Sequence, residues 1–301
     1  MISWPELGTR VTVRYRRPHG SVPPLTDVIG HLLDTTPLVR VRTKTGAVVQ
    51  FAPGNVVALR TLSDVPVRAS EIRALEHAAA MAWPGTEHQW LDGWFLRAGG
   101  GFTSRANSAV PLDFSAQLGA VPAIVDWYAQ RGLPAWLALP ERLLPVRGNG
   151  VKPTQVLVRD AACAGGAGTA LLGERPDVRW LAIFEREVPL DVLTAVVDGD
   201  VVFASVAGAA VGRGAVTSGP DGTTWLGISA VRVVPDRRGQ GHARAVCSAL
   251  LHWGAQHGAQ RCYVQVLDDN SSAIALYASM GFRRHHSHRY MAAGTLLAPT
   301  V

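Results

Sequence analysis

The chain has 301 residues, 48% hydrophobic and 17% charged, which is longer than one ordinary core supports and points to two or three domains. No apolar stretch is long enough to span a bilayer, and Met1-Ile-Ser-Trp-Pro-Glu6 lacks the regions of a signal peptide, so a cytoplasmic location is expected. The net charge of +6 suits polyanionic ligands, but Lys44 and Lys152 are the only lysines, which speaks against a lysine-rich nucleic-acid face.

Residues 7–62 carry short β-like runs. Thr9-Arg-Val-Thr-Val-Arg-Tyr-Arg16 alternates at period two, and Leu25–Leu33, Leu38–Arg42, Ala47–Phe51 and Val56–Arg60 follow across turn residues. This predicts a small SH3-like β-barrel over residues 1–63, with Lys44-Thr45-Gly46 as a hairpin turn. The module carries Arg10, Arg14, Arg16, Arg17, Arg40, Arg42, Lys44 and Arg60, and several of these arginines fall on one alternating face, which either contacts nucleic acid or an acidic protein partner or is simply solvated.

Ser63-Asp-Val-Pro-Val-Arg-Ala69 reads as a linker. Ser70, with Glu71 in the first turn, is placed to cap a helix whose apolar stripe is Ile72, Leu75, Ala79 and Ala82 and which Pro84-Gly85 ends. Strands are expected over Gln89–Arg97 and Phe102–Leu112 around a Gly99-Gly-Gly101 turn. A helix over Val121–Gln130 and strands over Ala135–Leu139 and Gln155–Val158 follow. Arg105-Ala-Asn107-Ser108 is polar on both faces, which suits either an edge strand or the wall of a substrate pocket. Ala161–Gly173 is a small-residue tract read as a loop. Cys163 within it, Cys247 and Cys262 are odd in number and lack CxxC spacing, so neither a disulfide framework nor a zinc site is implied.

Arg179–Glu187 and Val201–Val206 are expected as strands, and Ala209–Thr217 pairs with Thr223–Val234 across Ser218-Gly-Pro-Asp-Gly222. The last of these runs on as Val231-Arg-Val-Val-Pro-Asp-Arg-Arg-Gly-Gln-Gly-His-Ala243 and opens directly into a helical stretch reaching Gly258. The free N–H groups of such a turn and of the first helical residues converge on one point, which suits an anion. Gly239 and Gly241 let the backbone approach a ligand closely, and Arg237, Arg238 and Arg244 add positive charge. A strand Arg261–Leu267 and a helix opening at Asn270 complete the pattern.

Arg238-Gly-Gln-Gly-His-Ala243, followed after one helix and one strand by Asn270, Ala273, Leu276-Tyr277 and Gly281-Phe282, resembles the paired acetyl-CoA signatures of the GNAT superfamily of N-acetyltransferases. The resemblance implies an α/β (mixed α+β) GNAT fold with a twisted mixed sheet, an acetyl-CoA-binding domain over residues 179–301, and acetyl-CoA as cosubstrate. By the same token an amine is expected to attack the thioester directly, through a tetrahedral intermediate. Residues 67–178 carry the element order in which such a domain opens but no phosphate turn, so they are expected to be a degenerate GNAT-like half. Barrel followed by tandem halves looks like a group of actinobacterial GNAT proteins.

Carried over residue by residue, the resemblance gives Val231, Arg232 and Val233 backbone bonds to the pantetheine arm. It gives Arg238, Gly239, Gln240, Gly241, His242 and Ala243 the pyrophosphate, Asn270 the cofactor's far arm, and Tyr277 a place near the thioester sulfur as acid to the leaving thiolate. Strands that part after Val234 and before Arg261 would leave N–H groups free to polarise the thioester carbonyl. Many such enzymes carry a glutamate base on the strand ahead of the turn, and Trp225-Leu-Gly-Ile-Ser-Ala230 has none. Glu185, Glu187 and His242 are the candidate bases, in that order. His285, His286 and His288 lie among Arg283, Arg284 and Arg289 with no carboxylate alongside in sequence, so they are read as strand residues and no metal site is expected. Two functions remain open: an acetyl-CoA-dependent N-acetyltransferase, favoured by Tyr277, and an acetyl-CoA-binding sensor whose basic barrel recruits nucleic acid or protein, favoured by the missing base.

Overall fold

Valines at alternate positions organise the N-terminal unit, because successive side chains of a strand point to opposite faces. The computed structural model describes residues 4–62, 67–148, 150–161 and 169–297. Strands β1 (Arg10–Arg16), β2 (Leu25–Asp34), β3 (Val39–Thr43), β4 (Val48–Phe51) and β5 (Val56–Thr61) pair antiparallel in the order β4-β3-β2-β1-β5. Val11, Val13, Val39 and Val41 are fully buried with Leu32, and Tyr15 stacks on Phe51 at 4.0 Å. Each such valine contributes about 1.5–3 kcal/mol by leaving water. Arg14, Arg16, Arg40 and Arg42 take the outward positions and are exposed. Lys44-Thr45-Gly46 forms the turn between β3 and β4, with Gly46 at φ +85°.

Residues 68–301 form a second compact unit. It begins with α1 (Ala69–Ala82), β6 (Glu87–Leu91), β7 (Trp94–Ala98), β8 (Val110–Pro111), α2 (Val121–Ala129), β9 (Trp136–Pro140) and β10 (Val151–Asp160). It continues with β11 (Leu171–Gly173), α3 (Val178–Phe184), α4 (Leu190–Thr194), β12 (Asp200–Val206), β13 (Ala210–Ser218) and β14 (Thr224–Val233). The last elements are α5 (His242–Gln256), β15 (Arg261–Leu267), α6 (Ser271–Ser279) and β16 (Arg283–Ala292). One sheet runs β11-β12-β13-β14-β15-β10-β16-β9, antiparallel except for the parallel pair β14/β15. A smaller sheet runs β6-β7-β8, and a parallel bridge between Ala109 and Leu137 links its edge to β9.

The boundary expected between residues 178 and 179 does not separate two bodies. Strand β10 of the middle segment lies between β15 and β16 of the C-terminal one, so neither segment completes a sheet alone. Helix α1 crosses the same line: Leu75 and Ala79 pack with Val156, Trp225 and Tyr263, and Thr217 Oγ1 donates to the Ala78 carbonyl at 2.8 Å. Arg213, fully buried on β13, donates to the carbonyls of Ala82, Leu193 and Ala195 and stacks on Trp83 at 4.4 Å. A guanidinium out of water is tolerable only with such partners.

Several local expectations change. The hairpin in the middle segment turns at Asp92-Gly93, not at Gly99–Gly101, and residues 102–108 are a loop in which Asn107 Oδ1 accepts from the N–H groups of Gly99 and Gly101 at 2.8 Å. Residues Arg179–Phe184 are helical, not a strand: Asp177 caps α3 by accepting from Trp180 N–H at 2.7 Å, and the aromatic positions of α3 bury Trp180 and Phe184. Helix α1 starts a residue ahead of Ser70, its first turn held by Glu71 accepting from Arg68 N–H at 2.6 Å. The Ala161–Gly173 tract lies mostly outside the described residues, Cys163 with it, and its end, Leu171–Gly173, is strand β11.

Candidate functional site

The site begins with an irregularity in β14. Opposite β13 the pairing passes from Arg213/Ser229 to Val211/Arg232, so β14 carries one extra residue there, and Ala230 sits at φ +53°. A bulge of this kind bends its strand. The parallel pairing with β15 runs only from Trp225/Arg261 to Ile228/Val264, after which β14 and β15 part. Between them opens a cavity of about 510 Å³, within the range of small-molecule sites.

Val231 and Arg232 line that cavity, as do Asn270 and Tyr277 from α6. Val233 ends β14 just beyond. Arg238–Ala243 form the turn into α5, with Gly239 at φ +74° and Gly241 at φ +83° as its N-cap. A Cβ on either glycine would meet nothing, so the space in front of the turn is open. Among the described residues, none of the N–H groups from Gly239 to Arg244 meets an acceptor. A row of unsatisfied donors at the positive end of a fifteen-residue helix, with Arg237 and Arg238 beside it, fits a diphosphate. Gln240 Nε2 donates to the Asp236 carbonyl at 3.3 Å, His242 Nε2 lies 3.3 Å from Gln240 Oε1, and Arg244 donates to Ser279 Oγ at 2.6 Å, tying α5 to α6.

Asn270 caps α6: its Oδ1 accepts from Ala273 N–H at 3.1 Å, which leaves the amide nitrogen for the cavity. Tyr277, only 6% exposed, packs edge-on to Phe282 at 5.4 Å and is a hydrogen-bonding neighbour of Cys247. Burial above all, and then the nearby thiols of Cys247 and Cys262, push its phenol well above the usual range. Burial pushes the Cys247 thiol up to about 12.

The candidate bases fare differently from their sequence ranking. Glu185 forms an ion pair with Arg232, and neither it nor Glu187 lines the cavity. His242 stays at the first position of α5. A different group meets the cavity: His288, from β16, whose Nδ1 donates to Glu76 Oε1 at 3.2 Å. The same oxygen lies 2.8 Å from His286 Nε2, and His285 Nδ1 is 2.8 Å from His286 Nδ1. His285 is the extra residue where β16 slips against β10, so both neighbouring imidazoles turn inward. The carboxylate that the sequence does not place beside these histidines arrives from α1. Its signal was there to find, since Glu76 follows Ile72 by four and falls inside the apolar stripe of its helix. Arg105, from the loop after β7, and Lys152, from β10, also reach the cavity wall. Burial pushes the Glu76 carboxyl up, but the charge of His288 and the hydrogen bonds of His286 and His288 outweigh it and hold the group below the usual carboxylate range. Burial, with His286 beside it, takes His285 down to about 3.

Comparison with known proteins gives a consistent picture. The family model "Probable histone acetyltransferase Rv0428c C-terminal" matches residues 69–291, and "Rv0428c N-terminal Sm-like domain" matches residues 5–60. The chain is 54% identical over 296 residues to the probable histone acetyltransferase Rv0428c of Mycobacterium tuberculosis, covering 97% of both. It is 25% identical over 253 residues to the uncharacterized N-acetyltransferase YobR of Bacillus subtilis, covering 73% of this chain and 98% of that one. A GCN5-related N-acetyltransferase from Kribbella flavida shares the fold, with a TM-score of 0.53 at 14% identity over 75% of this chain and 95% of that one.

Proposed function

Because the chain belongs to the Rv0428c family of GNAT acetyltransferases, we propose that it moves an acetyl group from acetyl-CoA to an amine by direct attack. The observation that carries this reading is the parting of β14 from β15 beside a helix N-terminus with unsatisfied donors. Acetyl-CoA, when bound, supplies the thioester whose carbonyl carbon is the electrophile. Backbone groups of Val231, Arg232 and Val233 hold the pantetheine arm, and the N–H groups of Gly239 to Arg244 hold the diphosphate. Free N–H groups past the bulge at Ala230 stabilise charge that develops on the carbonyl oxygen. Tyr277 donates a hydrogen bond toward the departing sulfur.

Residues 67–178 are read as a degenerate half of the same kind, supported by their order: β6-β7-β8 antiparallel, α2, then β9 parallel to the edge of β8, as β12-β13-β14, α5 and parallel β15 follow in the C-terminal half. The barrel, with Arg16, Arg40 and Arg42 exposed, is read as a recruiting module for an acidic protein or nucleic acid. No helix among the described residues is long and apolar enough to cross a membrane.

The absence of a carboxylate on Trp225–Ala230 favours one rival, a sensor that binds acetyl-CoA without turning it over. Thiol release from acetyl-CoA in the presence of a panel of amines, with calorimetric binding alongside, separates the two. Amine-dependent release is expected; binding without release on any amine would leave the sensor, and no binding would remove both.

A further inference from the structure

An amine attacks only when neutral, and an alkylammonium with an ordinary pKa of about 10.4 is almost wholly protonated at pH 7. Some group at the acceptor end of the cavity must take that proton. Of the titratable side chains on its wall, His288 has the geometry. Its Nδ1 is engaged by Glu76 Oε1 at 3.2 Å, and among the described residues its Nε2 meets no partner. Glu76, 6% exposed, is fixed by a second imidazole, His286, at 2.8 Å. A carboxylate that holds Nδ1–H leaves the Nε2 lone pair for the cavity and stabilises the imidazolium once it forms.

Resting on the acetyl-transfer reading, we propose that His288 is the general base of the reaction and that Glu76 is its positioning residue. Nε2 accepts one proton from the acceptor ammonium; the freed amine adds to the thioester carbonyl carbon through a tetrahedral intermediate, the C–S bond breaks as the carbonyl re-forms, and the second proton on the new nitrogen passes to the departing thiolate, leaving amide and thiol. Charged and titratable groups surround the pair from each packed element: Arg105 on the loop after β7, Lys152 on β10 and Tyr290 on β16 share the cavity wall with His288, His286 holds the same carboxylate, and Arg97 on β7 and Tyr263 on β15 act electrostatically on Glu76. Glu141, past β9, is held by Ser287 Oγ at 2.9 Å on the other face of the strand.

The test is a pH profile of kcat/KM for the full chain, run on parent, His288→Gln and Glu76→Gln, with acetyl-CoA affinity measured for each. The parent is expected to show a limb that rises with pH. His288→Gln should lose that limb and fall roughly 10²- to 10⁴-fold at pH 7 with unchanged acetyl-CoA affinity. Glu76→Gln should move the limb to lower pH, which a merely structural role would not do. A parent profile without the limb, or His288→Gln with the limb and parent rate, overturns the proposal even if Glu76→Gln does not fold. Failure of the parent to bind acetyl-CoA or release thiol would instead overturn the transfer reading, and this one with it.

The charge on the walls bears separately on the acceptor. Among the described lining residues the ionised groups are Arg105, Lys152, Arg186 and Arg232, with no carboxylate, and Arg232 is already paired with Glu185. Lys152 sits at φ +52° where β10 slips against β16 between Val151 and Thr154, and its Nζ donates to Ser104 Oγ at 2.6 Å. Strained backbone at a bulge commonly re-aims a side chain toward a site. On the same transfer reading, we infer that the acceptor is a small amine carrying a carboxylate or phosphate, its anion held by Lys152 and Arg105, and not a lysine-rich tail. Amino acids, aminoalkyl phosphates, uncharged alkylamines and a lysine-rich peptide are compared by kcat/KM. One anionic class is expected to lead the uncharged amines by about tenfold or more, and Lys152→Gln to erase that lead by raising KM for the anionic acceptor alone. Equal or better turnover of the uncharged amine or the peptide, or a lead that survives Lys152→Gln, overturns the inference.

Discussion

Tyr277 follows Asn270 by seven residues, two turns along one helical face, and both line the cavity. Its surroundings alter what the phenol does. A tyrosine in water, at about 10, is close to a thiol in acidity, so transfer to a thiolate would be nearly balanced. Here burial raises the phenol well above that, so it stays protonated and full transfer to sulfur is uphill. Hydrogen-bond donation to the forming thiolate is the role that survives. Tyr277→Phe keeps the packing on Phe282 and loses only the donor, so acetyl-CoA affinity is expected to hold while turnover falls roughly ten- to a thousandfold. Single-turnover rates check it: parent rates in the Phe variant would remove the donor role, and loss of affinity would make the residue structural.

The turn and α5 act as one element, and its glycines divide by purpose. Gly241 sits at φ +83° with open space before it, whereas a Cβ on Gly254 would meet Leu226 at 2.8 Å. Gly241→Val therefore strains one residue by about 1–2 kcal/mol and puts a branched side chain into the approach to the N–H groups. Acetyl-CoA affinity is expected to fall by about tenfold or more, a change of about 1.4 kcal/mol or above, while the fold persists. Gly254→Val should do the reverse, lowering the melting temperature by overpacking the contact between α5 and β14. Calorimetry and thermal unfolding of both variants check the division; equal affinity in folded Gly241→Val would remove the anion assignment.

At the scale of the molecule the two halves exchange strands. Outward from the central β10/β16 pair the order is β15, β14, β13, β12 on one side and β9, β8, β7, β6 on the other, with a parallel step on each. β10 follows β9 in the chain yet adjoins β15, and β16 follows β15 yet adjoins β9. A chain beginning at Val67 keeps the whole second unit and is expected to fold and bind acetyl-CoA, since residues 4–62 have their own buried core. A chain beginning at Arg179 lacks β10 and α1, exposes the edges of β15 and β16, and should aggregate. Circular dichroism and size-exclusion behaviour of the two chains decide it: an insoluble first chain refutes the barrel's independence, and a folded second one refutes the exchange.

The barrel and the glycine turn into α5 were legible because both are local. Period-two valines specify a strand face whatever lies beyond it, and Arg238–Ala243 with Asn270 and Tyr277 carry their meaning in spacing along one strand, turn and helix. Where local signals competed, the reading slipped: Asp92-Gly93 is the stronger hairpin pair, yet the run of glycines at Gly99 drew the turn, and Asp177 marked a helix that β-branched and aromatic residues disguised. Nothing local joins Glu76 to His286 and His288, which are more than two hundred positions away along the chain. That meeting exists because α1 of one half packs across the sheet of the other, and the bulge in β16 turns the imidazoles inward. A base assembled from two halves is decided by tertiary structure, since burying a carboxylate is tolerable only where partners from elsewhere in the chain arrive to hold it.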